Sequence, residues 1–218
     1  MEALTIKNVK EELIEIITEE FLCQLEKDNK RYYKEASIQC KLVNELSKKF
    51  GVDPVLEWSV PYVESDLKSS TRRIDIMFEI GGKKVGIELK YKNKAVPGGE
   101  YPNHGADNNN KFDFFKDVQR LEDLREEKNK KFHIEKGFAI FITNDHLYWK
   151  PTRKGTLKEA FNLCDGTELI PKTYKAEWKG RKGQSVEFSG SHKIQWMPPL
   201  EGPDKKDGKT FRYLIVEV

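Results

Sequence analysis

Apolar residues recur at helical spacing near the start of the chain: Val9, Leu13, Ile16, Ile17, Phe21 and Leu25 fall three or four positions apart, or side by side, between Ile6 and Leu25. Such a stripe predicts a helix with one buried face. A second stripe, Ile38, Leu42, Leu46 and Phe50, predicts a helix from Tyr33 to Phe50, with Gly51 as its C-terminal stop. The period then changes to two. Leu56, Trp58 and Val60 alternate with Glu57 and Ser59, the pattern of a half-buried strand ending near Pro61. Two further runs, Arg73–Ile80 and Lys84–Tyr91, flank Gly81-Gly82 and predict a β-hairpin.

A polar stretch rich in Pro, Gly and Asn, residues 93–110, reads as a surface or substrate-facing loop. Phe114, Val118, Leu121 and Arg125 then mark a charged helix, and Gly137–Thr143 is a continuous apolar run, as in a strand buried on both faces. A short helix is expected at Leu157–Leu163, followed by β-like pieces at Lys175–Lys179, Ser185–Trp196 and Phe211–Val218. This order predicts an α/β domain in which helices flank a central mixed sheet and the tail adds strands.

Composition narrows the class without naming a function. The 218 residues suit one fairly large domain, expected to run from 1 to 218. Hydrophobic residues make up 37% and aromatics 11%, enough for a core and against global disorder. No apolar run approaches the ~20 residues of a membrane span, and the N-terminus shows no signal-peptide pattern. Cys23, Cys40 and Cys164 are widely spaced and form no CxxC, which predicts buried thiols in a reducing cytoplasm; no membrane partner is expected, given the lack of a spanning apolar run.

Charge looks uninformative at first, since 39 Lys+Arg against 36 Asp+Glu leave a formal +3. Its distribution is uneven. Residues 66–94 hold 8 basic and 4 acidic side chains, and residues 172–218 hold 10 and 6. Two basic stretches that converge in space would suit a polyanion; solvated surface lysines are the plainer reading.

The candidate chemistry lies on the hairpin. Side chains in a strand alternate faces, so Glu88 and Lys90 point the same way while Ile87 and Leu89 point into the core. On the partner run Ile74, Ile76 and Phe78 are expected to share the apolar face, leaving Asp75 opposite them. Pairing across the glycine turn then brings Asp75 near Glu88 and Lys90. Two carboxylates supply hard oxygens for Mg²⁺, with Mn²⁺ as a substitute, and a metal-activated water attacks phosphorus near neutral pH. The lysine positions or deprotonates that water, or stabilises charge on phosphorus. An ordinary Lys–Glu surface pair is the competing reading.

Asp75…Glu88-Leu-Lys90 resembles the PD-(D/E)XK nuclease superfamily, the restriction-endonuclease-like proteins. The resemblance spans about residues 30–150. It implies a central mixed four-stranded sheet flanked by helices; the residue pattern outside it adds an N-terminal helix within 1–29 and a β-rich C-terminal extension over about 172–218. The resemblance further implies Mg²⁺-dependent endonucleolytic cleavage of DNA, in restriction or DNA processing. Asp75, Glu88 and an auxiliary acid, Glu35, would hold the metal, and Lys90 would be the catalytic lysine. Gln39 shares a helical face with Glu35, while Glu45 and Glu57 are competing acids. Two departures stand out: Ile74 replaces the motif's proline, and Gln119 is followed by Asp123 rather than the Tyr of a Gln-x-x-x-Tyr pattern.

Arg72, Arg73, Lys92 and Gln39 are candidate phosphate contacts, with solvated strand ends as the alternative. DNA is the expected partner, RNA an open one, and a homodimer fits enzymes that cut two strands. The rival functions are an inactive nucleic-acid-binding module of the same fold and an interaction subunit. His104 has no ligand partner at useful spacing, and Trp149, Trp178 and Trp196 either stack bases or fill the core.

Overall fold

The computed structural model describes residues 5–22, 34–60, 73–94, 107–126, 132–197 and 211–218. Three helices and ten strands are seen there. α1 spans Val9–Ile16 and continues as a π-helical stretch over Ile17–Leu22; α2 spans Glu35–Phe50 and α3 spans Asp107–Arg125. The main sheet contains β1 (Val55–Ser59), β2 (Arg73–Ile80), β3 (Lys83–Lys92) and β4 (Lys136–Thr143). β5 (Glu168–Leu169), β6 (Thr173–Lys175), β7 (Ser185–Glu187) and β8 (His192–Lys193) form two small ribbons, β5 with β8 and β6 with β7. β9 (Trp196–Met197) and β10 (Arg212–Glu217) complete the main sheet in the order β1-β2-β3-β4-β10-β9.

This is a mixed sheet. β3 and β4 run parallel, and every other pairing in it is antiparallel. The expected hairpin forms, with Gly81 and Gly82 at φ 57° and 76°, the left-handed values a tight turn of this hand needs. β10 and β9 are the added C-terminal strands. The Leu157–Leu163 helix shrinks to one 3₁₀ turn, Glu159–Phe161. α3 begins at Asp107, so the last residues assigned to the polar loop are helical; His104 lies outside the described residues.

Each face of the sheet carries its own core. Ile76, Ile87, Leu89, Ile140 and Ile142 pack under Leu13, Ile38, Leu42 and Leu46 of α1 and α2. The other face packs Met77, Ala139, Phe141 and Leu214 against Phe114, Val118 and Leu121 of α3. α3 is thus sandwiched, because its Phe112 and Phe115 make tilted and edge-on ring contacts with Phe161 of the 3₁₀ turn and with Tyr174, Trp178 and Phe188 of the C-terminal region. Glu122 fastens the same layer by accepting hydrogen bonds from the Ser189 and Gly190 N–H groups, with His192 Nε2 at 2.7 Å. Trp149, Trp178 and Trp196 are buried and belong to this core, which resolves their two readings.

Two expectations need correction. Ile74 does not share the face of Ile76 and Phe78 but packs in the α3-side core. Across the ladder, Glu57 adopts φ 50°, and Leu56 and Trp58 likewise fall in different cores. The strand pair changes face at the Glu57 and Asp75 level. The cysteines are not uniformly buried either: Cys40 is exposed and Cys164 half-buried, with Cys23 outside the described residues. No helix among the described residues is long and apolar enough to cross a membrane.

Candidate active site

The site forms where β2 and β3 part. Their antiparallel register stops at Ile76↔Ile87, yet β2 continues along β1 to Arg73 and β3 continues along β4 to Lys92. The fork leaves backbone N–H groups on β3 that no strand serves, and a buried orphan donor is costly. Carboxylates serve them. Leu89 N–H donates to Asp75 Oδ2 at 2.7 Å, and Tyr91 N–H donates to Glu35 Oε2 at 2.7 Å. The helix start at Glu35 and the strand end at Asp75 are thereby pinned to one stretch of β3.

Glu88 and Lys90 project from that stretch toward α3. Lys90 Nζ lies 2.9 Å from Asp117 Oδ2, and Arg120 Nη1 lies 2.5 Å from Glu88 Oε1. Arg120 also reaches Asp117 Oδ1 at 3.4 Å and donates to the Arg73 carbonyl at 3.2 Å. Lys92 Nζ stands 3.5 Å from Glu35 Oε2, and Arg73 lies 3.6 Å from Glu57. Asp117 and Arg120 are the residues the sequence reading missed. Their signal was present: they flank the apolar stripe Phe114, Val118 and Leu121 at i, i+3 spacing, so one helix face carries both charge and core.

Gln39 is buried one turn beyond Glu35 on α2. Glu45 pairs with Lys48 at 3.4 Å, along its own helix. Gln119 accepts from Lys116 Nζ. Arg72 lies outside the described residues.

Charge in the cluster is crowded. Burial pushes the Asp75 carboxyl above the ordinary aspartate range, against the Leu89 N–H and the nearby Lys90. Burial and then Asp117 push Glu88 well above the glutamate range despite Arg120. Asp117, wholly enclosed, is pushed up to about 6 by burial, with Lys90 and Arg120 opposing. Burial works against the charge on Lys90, but Asp117 and Glu35 outweigh it and hold the ammonium above the usual lysine range. Of the Lys90–Asp117 pair, the lysine is the partner committed to its charge, because Glu35 and Asp75 face it as well.

These directions have a measurable consequence. A carboxyl whose folded pKa is raised keeps a proton that the unfolded chain has already released, so stability falls as pH climbs from the unfolded to the folded value. Ionised Asp75 therefore costs the protein stability at neutral pH. Asp75→Asn keeps an oxygen for the Leu89 N–H and removes the charge. It is expected to gain about 1 kcal/mol, or ~2–4 °C in melting temperature for a domain this size. Melting curves in chelator across the acidic-to-neutral range test this; an unchanged or lower midpoint contradicts it.

As a donor set, Asp75 and Glu88 offer the hard oxygens that Mg²⁺ prefers. Among the described residues, however, no three His, Cys, Asp or Glu side chains stand close enough to hold a metal ion. Glu35 is nearby, bonded to Tyr91 N–H, without completing such a group, and Glu88 is taken by Arg120. An ion that keeps most of its waters needs only one or two carboxylates, so Asp75 and Glu88 have the donor chemistry for it, with Arg120 occupying Glu88 in this structure.

Basic residues also gather elsewhere. At the opposite end of β3, Lys7, Lys10, Lys83, Arg125, Lys136 and Lys193 line an open groove of about 710 Å³. Glu135 pairs with Lys83 at 2.8 Å, and Glu217 pairs with Lys136, offsetting part of that charge. The two basic stretches of the sequence therefore meet in part, away from the fork.

No family model matches the chain, and no curated protein or solved structure is significantly similar to it.

Proposed function

We propose that the chain is a Mg²⁺-dependent nuclease that hydrolyses phosphodiester bonds in DNA, with its active site in the β2–β3 fork. The observation that supports this most is the fork itself: Asp75, Glu88 and Lys90 converge there from two strands, each held by a named partner. Asp75 and Glu88 would hold Mg²⁺, which would supply Lewis acidity and a more acidic water. The chain's own residues supply the rest. The Leu89 N–H fixes Asp75, so its carboxylate is presented in one orientation. Lys90, held cationic by Asp117 and Glu35, stabilises negative charge accumulating on the phosphoryl oxygens rather than removing a proton. Lys92 and Arg73 stand at the mouth of the fork as phosphate-positioning residues.

The rival is a nucleic-acid-binding module of the same fold without catalysis, favoured by the Arg120 contact on Glu88. Incubating the purified protein with supercoiled plasmid and Mg²⁺ or Mn²⁺ separates the two. Nicking or linearisation that stops with chelator is the expected result. Salt-dependent DNA binding with no cutting of DNA or RNA in any divalent metal would favour the module instead. Loss of both would leave an interaction subunit.

A further inference from the structure

We propose that Arg120 is the resident counter-cation of the Asp75–Glu88 pair: it holds the divalent ion's place in the metal-free protein and yields Glu88 when the ion enters. This rests on the nuclease reading and adds a device that governs metal entry. The Glu88 carboxylate is 1% exposed, so it cannot stay ionised without a cation at hand. Arg120 Nη1 provides one at 2.5 Å and is braced by the Arg73 carbonyl at 3.2 Å, which ties the guanidinium across the fork. A dication at the same carboxylates repels that guanidinium at short range.

A second partner for Arg120 is already in place. Asp117, one turn earlier on α3, has Oδ1 3.4 Å from Nη2, so Arg120 can give up Glu88 without losing every carboxylate contact. Asp117 is also the partner of Lys90, through Oδ2 at 2.9 Å. When Arg120 settles on Asp117, the acid gains a closer cation and its hold on Lys90 loosens. Metal entry would then release the lysine toward substrate, so the two halves of the site are armed together.

The test is calorimetric titration of Mg²⁺ and Mn²⁺ into the full chain, without DNA, for the parent, Arg120→Gln and Arg120→Lys, at mildly alkaline pH. Arg120→Gln is expected to bind Mn²⁺ about tenfold more tightly or better, since a close charge competitor is gone. Arg120→Lys keeps the cation and should stay near the parent. Binding by the parent that Arg120→Gln leaves equal or weaker overturns the proposal alone and makes Arg120 an orienter of Glu88. Absence of binding by every protein removes the metal site itself, and the proposal with it. Should Arg120→Gln fail to fold, the parent decides. Its Arg120 Nε–Hε resonance must move with Mg²⁺ occupancy, and a resonance that stays fixed through saturation overturns the exchange.

Discussion

Lys90→Met is expected to lower Mg²⁺-dependent cleavage of DNA by about 10²–10³-fold, the usual cost of removing one preorganised charge from a site of this kind. Met preserves the length and apolar stem, so the lost function is the ammonium. The ammonium also balances Asp117, and removing one partner of a buried pair leaves a charge uncompensated. Asp117 can answer by taking up a proton, since its pKa is already pushed up to about 6, and Arg120 remains beside it at 3.4 Å. Some loss of stability is still expected. The double variant Lys90→Met/Asp117→Asn separates the two consequences: it replaces the pair with neutral side chains of similar size, restoring much of the melting temperature without restoring cleavage. Cutting that persists in Lys90→Met would remove Lys90 from the site. Activity that returns in the double variant would show that the single change had acted through folding.

The hairpin and the shared face of Glu88 and Lys90 were legible because both rest on local rules. A period of two puts Glu88 and Lys90 on one face, and Gly81-Gly82 sets the turn between the runs. The nearness of Asp75 to Glu88 and Lys90 was legible, but the contact that holds it there was not. It was expected as a cross-strand neighbour of Glu88, whereas the strands part at Ile76↔Ile87 and its side chain takes over the hydrogen bond of a missing strand. Nothing local marks the end of a ladder. Ile74 was misassigned for the same reason, since strict alternation fails where Glu57 takes a left-handed φ across from Asp75. Asp117 and Arg120 were hidden differently. Their spacing beside the apolar stripe of α3 places them at the edge of its buried face, but only tertiary packing tells which charges there meet β3. The added C-terminal strands were legible as β, while the pairing of β10 with β4 is a long-range contact with no local signal.

Gly137→Ala is expected to destabilise the fold by about 2–3 kcal/mol, the upper part of the range for overpacking a filled core. Gly86 and Gly137 are direct neighbours on β3 and β4, and together they leave a bare patch on which α3 sits. A Cβ at Gly137 would lie 2.8 Å from Leu121 Cβ, while one at Gly86 would lie 3.3 Å from Leu121 Cδ2. The first contact is with an atom next to the helix backbone, so no rotamer change relieves it and α3 itself must move. Leu121→Ala keeps that Cβ and is therefore not expected to rescue Gly137→Ala; Gly86→Ala, whose tightest contact is the end of the Leu121 side chain and whose others are ordinary, should cost less. The same displacement reaches the site. Asp117 and Arg120 lie within one turn of Leu121, and a misplacement of ~1 Å can cost ~10² in rate. Gly137→Ala should thus lose cleavage even where it remains folded, although it touches none of Asp75, Glu88 or Lys90. Denaturant unfolding and plasmid cleavage, measured on the same preparation, check both halves. Full activity in a destabilised Gly137→Ala protein would show that the fork does not depend on how closely α3 sits.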